Sequence, residues 1–318
     1  MLTEDPFDNN IADLIFPLDY YFQPCPTCNG IDYIKSGWAP SKTGGTQRLR
    51  CRIDKTRYDD NPLPGMNKPS IIDSVLNQCV NCGGHYAPVA RNMRSFSIVE
   101  KRVVYISKST VHNIISDTYE QVKFIENKFF HTMYSSDWEI DDMFQRRVRY
   151  KSPEDKLVCN HYKVTNILSV KPRYWLVSRV TPRICLKQAK TAIAEAVLRA
   201  GYSPLVIRCD GSRTLRNACN MTLVDTELYT KTKDEEFEIV NYDEILHRII
   251  RSMNIGKRRR FPSLFSLQRA VDLCRFQYNF LRPHKKLQNR TPAMEAGIKY
   301  PFRTWIDLLT FAYRIRFG

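Results

Sequence analysis

The sequence predicts an α/β domain with a mixed central sheet and flanking helices, preceded by a small Cys-containing module and an all-helical region. Three observations predict it: stretches rich in β-branched and aromatic residues follow Asp137, Gly201 ends a helical stretch, and Gly and Pro punctuate the chain before residue 66. A chain of 318 residues is also longer than the chain that usually folds around a single hydrophobic core. We therefore expect several modules.

The composition indicates a folded protein with a polyanionic partner. Hydrophobic residues make up 43% and charged residues 26% of the chain, which excludes a disordered or fibrous class. The net charge is +16, and the segment Leu246–Arg290 holds twelve basic residues against the single acid Asp272. A solvated helix face would mix both signs, so we expect phosphate contacts and favour nucleic acid as the partner.

The sequence predicts neither a signal peptide nor a membrane span. The N-terminus, MLTEDPFDNN, is acidic where a signal peptide is basic and then apolar, and no stretch approaches the roughly 20 apolar residues of a membrane span. We expect an intracellular, DNA-associated protein of the cytoplasm or nucleoid, with no membrane partner. Its ten Cys are then free thiols or metal ligands.

Residues 66–134 follow the pattern of a helix-turn-helix. Apolar residues recur at helical spacing from Ile71 to Val80, Gly83 and Gly84 form a turn, and a further helix starts with Ser107 or Ser109 as its N-cap. The last helix of such a motif reads bases in the major groove, so the candidate DNA readers are Lys108, Ser109 and His112. The alternative is a helical linker that packs against the α/β domain.

The α/β domain is expected to alternate strands and helices. The predicted strands are Trp138–Val148, Tyr162–Val170, Tyr174–Val180, Leu205–Cys209 and Met221–Thr232, and the predicted helices are Leu186–Ala200, Asn241–Met253 and Ser263–Leu281. Asp141 lies in the first strand, Asp210 ends the fourth, and Glu244 lies in the first turn of a helix. Three carboxylates gathered by a sheet and a covering helix can bind two Mg²⁺ or Mn²⁺ ions. Each acid alone could equally be a surface charge, a turn residue or a helix cap.

The segment Tyr278–Gly297 carries a specific motif, YN-x-x-RPH-x-x-L-x-x-x-TP-A-x-x-A-G. It resembles the tail of DDE-class insertion-sequence transposases and retroviral-type integrases, and Trp138-x-x-Asp141, Cys209-Asp210-Gly211 and Glu244-x-x-His247-Arg248 resemble the family's three acid motifs. The resemblance implies an RNase H-like catalytic domain at residues 135–298, followed by an extension at 299–318. It implies that Asp141, Asp210 and Glu244 are the metal-binding catalytic triad of a transposase, which acts on double-stranded DNA as a homo-oligomer.

Two neighbouring acids complicate this assignment. Asp142 follows Asp141 and Asp243 precedes Glu244, and consecutive residues of a strand point to opposite faces. We choose Asp141 and Glu244. A decayed or domesticated copy that only binds DNA remains the alternative function, and a nuclease of the same fold is a more remote one.

The N-terminal residues 1–65 resemble the zinc ribbon of many such transposases. Cys25, Cys28 and Cys51 follow its pattern, but Asp54 stands where the last Cys is expected. A tetrahedral zinc site needs four ligands, so Asp54 or the pair Cys79 and Cys82 would complete it.

Two basic segments are assigned to DNA. The proposed DNA-binding residues are Lys257, Arg258, Arg259, Arg260, Arg282, His284, Lys285 and Lys286. Within this set, Arg282, His284 and Lys285 are assigned a DNA-positioning or structural role. His284 is not needed as a general base, because two-metal displacement activates its nucleophile at the metals.

Overall fold

The computed structural model describes residues 27–28, 32–39, 46–59, 69–81, 86–97, 102–129, 135–151, 157–182, 185–230, 263–298 and 304–317. These residues form two units. The first comprises the described parts of 1–71 and 93–106, and the second comprises those of 72–92 and 107–318.

The first unit contains two small antiparallel sheets. Their strands are β1 (Tyr33–Ala39), β2 (Thr46–Cys51) and β3 (Arg57–Asp59) in the larger sheet, and β4 (Arg94–Ser97) and β5 (Arg102–Tyr105) in the smaller. The β4–β5 hairpin corrects the prediction that residues 66–134 are all helical. Val103, Val104 and Tyr105 favour a strand because β-branched and aromatic side chains fit a pleated surface.

Three helices precede the large sheet. They are α1 (Pro69–Leu76), which continues into a π-helical turn at Asn77–Asn81, then α2 (Tyr86–Asn92) and α3 (Lys108–Phe129). The Ser107 hydroxyl accepts a hydrogen bond from the backbone N–H of Thr110 at 3.0 Å, so Ser107 is the N-cap of α3.

A five-stranded mixed sheet forms the centre of the second unit. Its strands are β6 (Asp137–Lys151), β7 (Leu157–Ser169), β8 (Tyr174–Thr181), β9 (Val206–Cys209) and β10 (Glu227–Thr230). The order is β10-β9-β6-β7-β8, in which β6, β7 and β8 pair antiparallel while β9 pairs parallel with both β6 and β10. The predicted fold class is therefore confirmed.

Two helices make the crossovers that the parallel strands require. Helix α4 (Leu186–Ala200) connects β8 to β9, and Gly201 ends it in the left-handed region at φ 77°, as predicted. Helix α5 (Arg213–Thr222) connects β9 to β10.

Helix α5 corrects the prediction of a strand at Met221–Thr232. Within the part of this range that the structure describes, which ends at Thr230, the strand covers only Glu227–Thr230. Parallel strands cannot be joined by a tight hairpin, so a crossover had to precede β10. The buried positions Leu215, Ala218 and Cys219 have the helical spacing that fills this role.

Three helices follow near the C-terminus. They are α6 (Leu264–Phe276), which continues into a π-helical turn at Gln277–Leu281, then α7 (Pro292–Glu295) and α8 (Trp305–Phe317). Helix α6, its π-helical turn and α7 lie against β8 at the outer edge of the sheet, and α8 packs against α3. The Gln268 amide accepts from the N–H of Val180 and donates to the carbonyl of Ser178, both at 2.7 Å. The Asn279 amide pairs in the same way with Trp175, with both bonds at 2.9 Å. These side chains satisfy an edge strand that would otherwise expose its backbone.

Two of the twelve basic residues expected to face a polyanion are buried instead. Arg269 is 6% exposed and Arg275 is 1% exposed. Arg275 pairs with Glu126 of α3 and lies 3.6 Å from Asp272. This part of α6 therefore belongs to the core, where acids compensate its charge, and these two residues are not part of the phosphate-contacting surface that the sequence predicted.

Among the described residues, the structure has no helix that is long and apolar enough to cross a membrane. The predicted helix Asn241–Met253 lies outside the described residues.

Candidate active site

The pairing of β6 with β9 brings two of the predicted acids together. Ile140 pairs with Cys209 in parallel register, so the next residues along each chain, Asp141 and Asp210, are neighbours where β9 ends. The buried side chains of Trp138, Ile140 and Cys209 hold this part of the sheet in the core. The carboxyl ends of parallel strands are where α/β sheets usually bind their ligands.

The Asp210 side chain is fixed by its own turn. Its Oδ1 accepts a hydrogen bond from the N–H of Ser212 at 2.9 Å, and α5 begins immediately afterwards. Gly211 adopts φ 85°, and a Cβ at this position would lie 3.2 Å from Cγ2 of Thr230. Glycine suits this turn because it adopts a positive φ without strain and because it has no Cβ to crowd Thr230. Asp210 has the local hydrogen bond expected of a turn residue and also lies next to Asp141.

Asp142 is a third carboxylate at this end of the sheet. The hydroxyl of Thr165 on β7 donates to its Oδ1 at 2.9 Å. Burial raises the pKa of Asp142 to about 7, the Thr165 hydrogen bond and Lys163 oppose this rise, and the charges of Asp210 and Asp141 add to it. Alternation along a strand predicts that Asp142 faces away from Asp141, but the charge of Asp142 interacts with that of Asp210 as well as with that of Asp141.

The third predicted acid, Glu244, lies outside the described residues. The residues Lys257, Arg258, Arg259 and Arg260 also lie outside them.

Helix α3 carries the candidate DNA readers at its start and is anchored to α6 along its length. Lys108, Ser109 and His112 are exposed. His112 Nε2 lies 3.4 Å from Arg269 of α6, and the same Arg269 donates to the Ser116 hydroxyl at 2.6 Å. Such contacts are expected if the helical region is a linker that packs against the α/β domain. They nevertheless leave the first turn of α3 accessible to a partner.

The residues at the start of the motif Tyr278–Gly297 make packing contacts within the protein. Asn279 holds β8, and the Tyr278 ring packs edge-on against Trp175 and lies 4.4 Å from the His284 ring. Arg282, Lys285 and Lys286 are exposed, whereas His284 is half-buried. The structure therefore separates the exposed cations of the motif from its internal residues.

A second candidate site lies in the first unit, where Cys28, Cys51 and Asp54 come together. One ligand atom from each lies within 4.8 Å of the others, and the two sulfur atoms are 3.5 Å apart. Two thiolates on a tetrahedral zinc ion, each about 2.3 Å from the metal, would lie about 3.8 Å apart. The donor set and spacing therefore fit zinc, and Cys25 lies outside the described residues.

The alternative ligand pair is less suited to zinc. Burial raises the pKa of the Cys79 thiol to about 12, whereas a zinc ligand has to be a thiolate. Cys82 lies outside the described residues. Of the two options for the fourth ligand, the described contacts favour Asp54.

We expect Cys28→Ser to reduce the zinc content of the purified protein from about one equivalent to well below it, because a tetrahedral site would lose one of its four ligands. Cys185→Ser is the matched control, since Cys185 is also exposed but has no part in the cluster. Metal analysis of both variants checks this expectation. Equal zinc in Cys28→Ser and the control would exclude the site.

Comparison with known proteins gives similarity only at the level of the fold. No family model matches the sequence, and no curated protein matches it. A chain of the simian T-cell lymphotropic virus intasome, solved in complex with PP2A regulatory subunit B56 gamma, is 11% identical, with 72% of this chain and 74% of that chain covered and a TM-score of 0.36. The HTLV-2 integrase catalytic core domain, solved in complex with magnesium, is 12% identical, with 50% and 95% covered and a TM-score of 0.34. The BIV integrase catalytic core domain is 14% identical, with 51% and 93% covered and a TM-score of 0.33. At these identities and TM-scores, no residue role is transferred from these structures to this chain.

Proposed function

We propose that this protein is the DNA transposase of a mobile element, a metal-dependent polynucleotidyl transferase whose catalytic residues are Asp141, Asp210 and Glu244. The observation that carries the proposal is the parallel register of β6 and β9, in which Asp141 and Asp210 are neighbours at the end of β9. The tail motif of Tyr278–Gly297 and the basic C-terminal segment also support it.

The proposed reaction has two steps. Water first hydrolyses a phosphodiester at each element end, and the freed 3′ hydroxyl then attacks a phosphodiester of the target DNA. Two Mg²⁺ or Mn²⁺ ions held by the three carboxylates would supply Lewis-acid activation of the attacking and leaving oxygens. In the first step the P–O bond to the 3′ oxygen breaks and a P–OH bond to the oxygen of water forms, which frees the 3′ hydroxyl. In the second step the bond from phosphorus to this 3′ oxygen forms as a P–O bond of the target strand breaks, so no covalent protein intermediate is required.

In this proposal the protein holds the metal-binding carboxylates in fixed positions, and its side chains transfer no proton. Asp141 belongs to a strand that pairs on both sides, and the Ser212 N–H holds the carboxylate of Asp210. Carboxylates held in advance need little reorganisation when the charge of the transition state develops. The partners in this proposal are double-stranded DNA at element ends and target, and further copies of the chain assembled on that DNA.

The test separates catalysis from binding. We expect Glu244→Gln to abolish Mg²⁺-dependent cleavage and strand joining while binding to element ends persists, because the change removes a metal-binding carboxylate and no phosphate contact. Neutralising Lys257, Arg258, Arg259 and Arg260 should instead weaken DNA binding and reduce its salt dependence.

The unaltered protein provides the deciding observation. If it binds element ends but neither cleaves nor joins DNA with Mg²⁺ or Mn²⁺, the transposase proposal is wrong and the DNA-binding regulator is favoured. If it cleaves without joining strands, the nuclease alternative is favoured. The sequences flanking the reading frame supply the candidate ends for these assays.

A further inference from the structure

Cations from two distant segments of the second unit lie on one surface, and all of them are exposed except Arg173, which is half-buried. One segment is the turn between β7 and β8, and the other follows the π-helical turn at Gln277–Leu281. We call the resulting surface the turn patch; its residues are Lys171, Arg173, Arg282, Lys285, Lys286 and Arg290.

His284 shows that the two segments are close together. Its ring lies 4.4 Å from that of Tyr278, which packs against Trp175, two residues after Arg173. Burial and, to a smaller extent, the charges of Arg282 and Arg173 together lower the pKa of His284 to about 4, so both guanidinium groups act on the same imidazole. The imidazole is therefore neutral at pH 7 and adds no charge of its own. Its role is to support the cations around it.

The second segment is held firmly on the sheet. The N–H of His284 donates to the carbonyl of Arg290 at 3.0 Å, and the carbonyl of His284 accepts from Leu287 and Asn289 at 2.9 and 3.0 Å. The Tyr278 and Asn279 side chains attach the preceding turn to Trp175 of β8. A rigid base lowers the conformational entropy lost when its side chains bind a partner.

The turn patch lies away from the carboxylates. The N–H of Val170, at the start of the β7–β8 turn, donates to the carbonyl of Asp137 at 3.0 Å. Asp137 precedes Asp141 by four residues of β6, which corresponds to about 13 Å along the strand. The turn patch is thus at the opposite end of this part of the sheet from Asp141 and Asp210.

The two segments of the turn patch carry charges of one sign. Residues 170–173 and 282–290 contain no acid, and the carboxylate paired with Arg290, at 2.9 Å, belongs to Glu295. Solvated surfaces usually mix signs, whereas clustered Lys and Arg on one surface are characteristic of contacts with nucleic-acid phosphates.

We propose that the turn patch binds backbone phosphates of duplex DNA at least about four base pairs from the phosphodiester that is cleaved, since one base pair spans about 3.4 Å. The proposal rests on the transposase function and specifies how that site holds its DNA. In it, His284 and Tyr278 are positioning residues, and the cations of the two segments make the contacts.

The test compares two variants that lose the same charge. Lys171→Gln/Lys285→Gln removes one exposed cation from each segment, and Lys187→Gln/Lys190→Gln removes two lysines from α4. Binding of the full-length protein to an element-end duplex is measured by fluorescence anisotropy over a range of salt concentrations. We expect the slope of log Kd against log salt to fall by about 1.8 for the turn-patch variant, at about 0.9 for each lost phosphate contact, and to stay unchanged for the control.

A second measurement locates the contact. Neutral methylphosphonates placed about four to six base pairs from the cleaved bond should weaken binding of the unaltered protein more than binding of the turn-patch variant, which has already lost two of the contacts. Equal salt slopes in the two variants, or equal sensitivity to the methylphosphonates, would overturn the turn-patch proposal. Failure of the unaltered protein to cleave any element end would overturn the transposase function instead, so the two failures are distinguishable.

Discussion

Asp141→Asn is expected to slow Mg²⁺-dependent cleavage by about a thousandfold or more. The substitution keeps the shape of the side chain and removes a carboxylate charge from the point where β6 and β9 lie side by side. Metal ions supply several kcal/mol of transition-state stabilisation, and each 1.36 kcal/mol is tenfold in rate, so losing a ligand is costly. Single-turnover cleavage of a labelled element-end duplex measures the effect.

Asp137→Asn is the matched control for this prediction. Asp137 lies on the same strand and, four residues earlier, on the same face of the sheet, where it pairs with Arg208 at 3.4 Å. The pair is partly exposed, so its loss should change stability by less than about 1 kcal/mol. Cleavage should stay close to that of the unaltered protein. Similar rate losses in Asp137→Asn and Asp141→Asn would refute a specific role for Asp141.

Glu126→Gln is expected to lower the free energy of unfolding by about 3–5 kcal/mol, because it leaves buried cations without their partner. Glu126 is 4% exposed and pairs with Arg275, with Arg199 at 3.6 Å and with Lys123 at 3.4 Å. Burial alone would raise its pKa, but these three cations outweigh burial and hold the pKa below its ordinary value. Chemical denaturation at neutral pH measures the loss.

The control for Glu126→Gln is the exposed pair of Glu295 with Arg290, 2.9 Å apart. Glu295→Gln should cost less than about 1 kcal/mol, as surface ion pairs do. The pKa of Glu126 in the folded protein is below its ordinary value of about 4.5. Its ion pairs therefore contribute fully to the free energy of unfolding when the pH is above 4.5, and this contribution is lost as the pH falls below that value. The difference between Glu126→Gln and the unaltered protein should therefore shrink in acid. A difference that is constant with pH would contradict this origin.

The amphipathic and strand patterns largely determined the elements of the second unit. Helix α4, the strand β8 and the N-cap Ser107 lie where the sequence predicted them. Local sequence signals are enough to place these elements, since a single hydroxyl side chain can cap the start of a helix and a single glycine can end one. The same local signals failed at α5 and at the β4–β5 hairpin, where short elements are chosen by their partners in space.

The sequence by itself determined the fold class, the basic character of the chain, and the three Cys and three acids worth testing. Only the tertiary structure decided which residues meet: Asp141 with Asp210 by strand register, Cys51 with Cys28 and Asp54 across a small sheet, and Arg275 with Glu126 inside the core. It also reassigned Arg269 and Arg275 from a phosphate-facing surface to the interior. Composition counts charges without regard to direction, whereas the side that a residue of a helix or strand faces depends on packing between segments far apart in the chain.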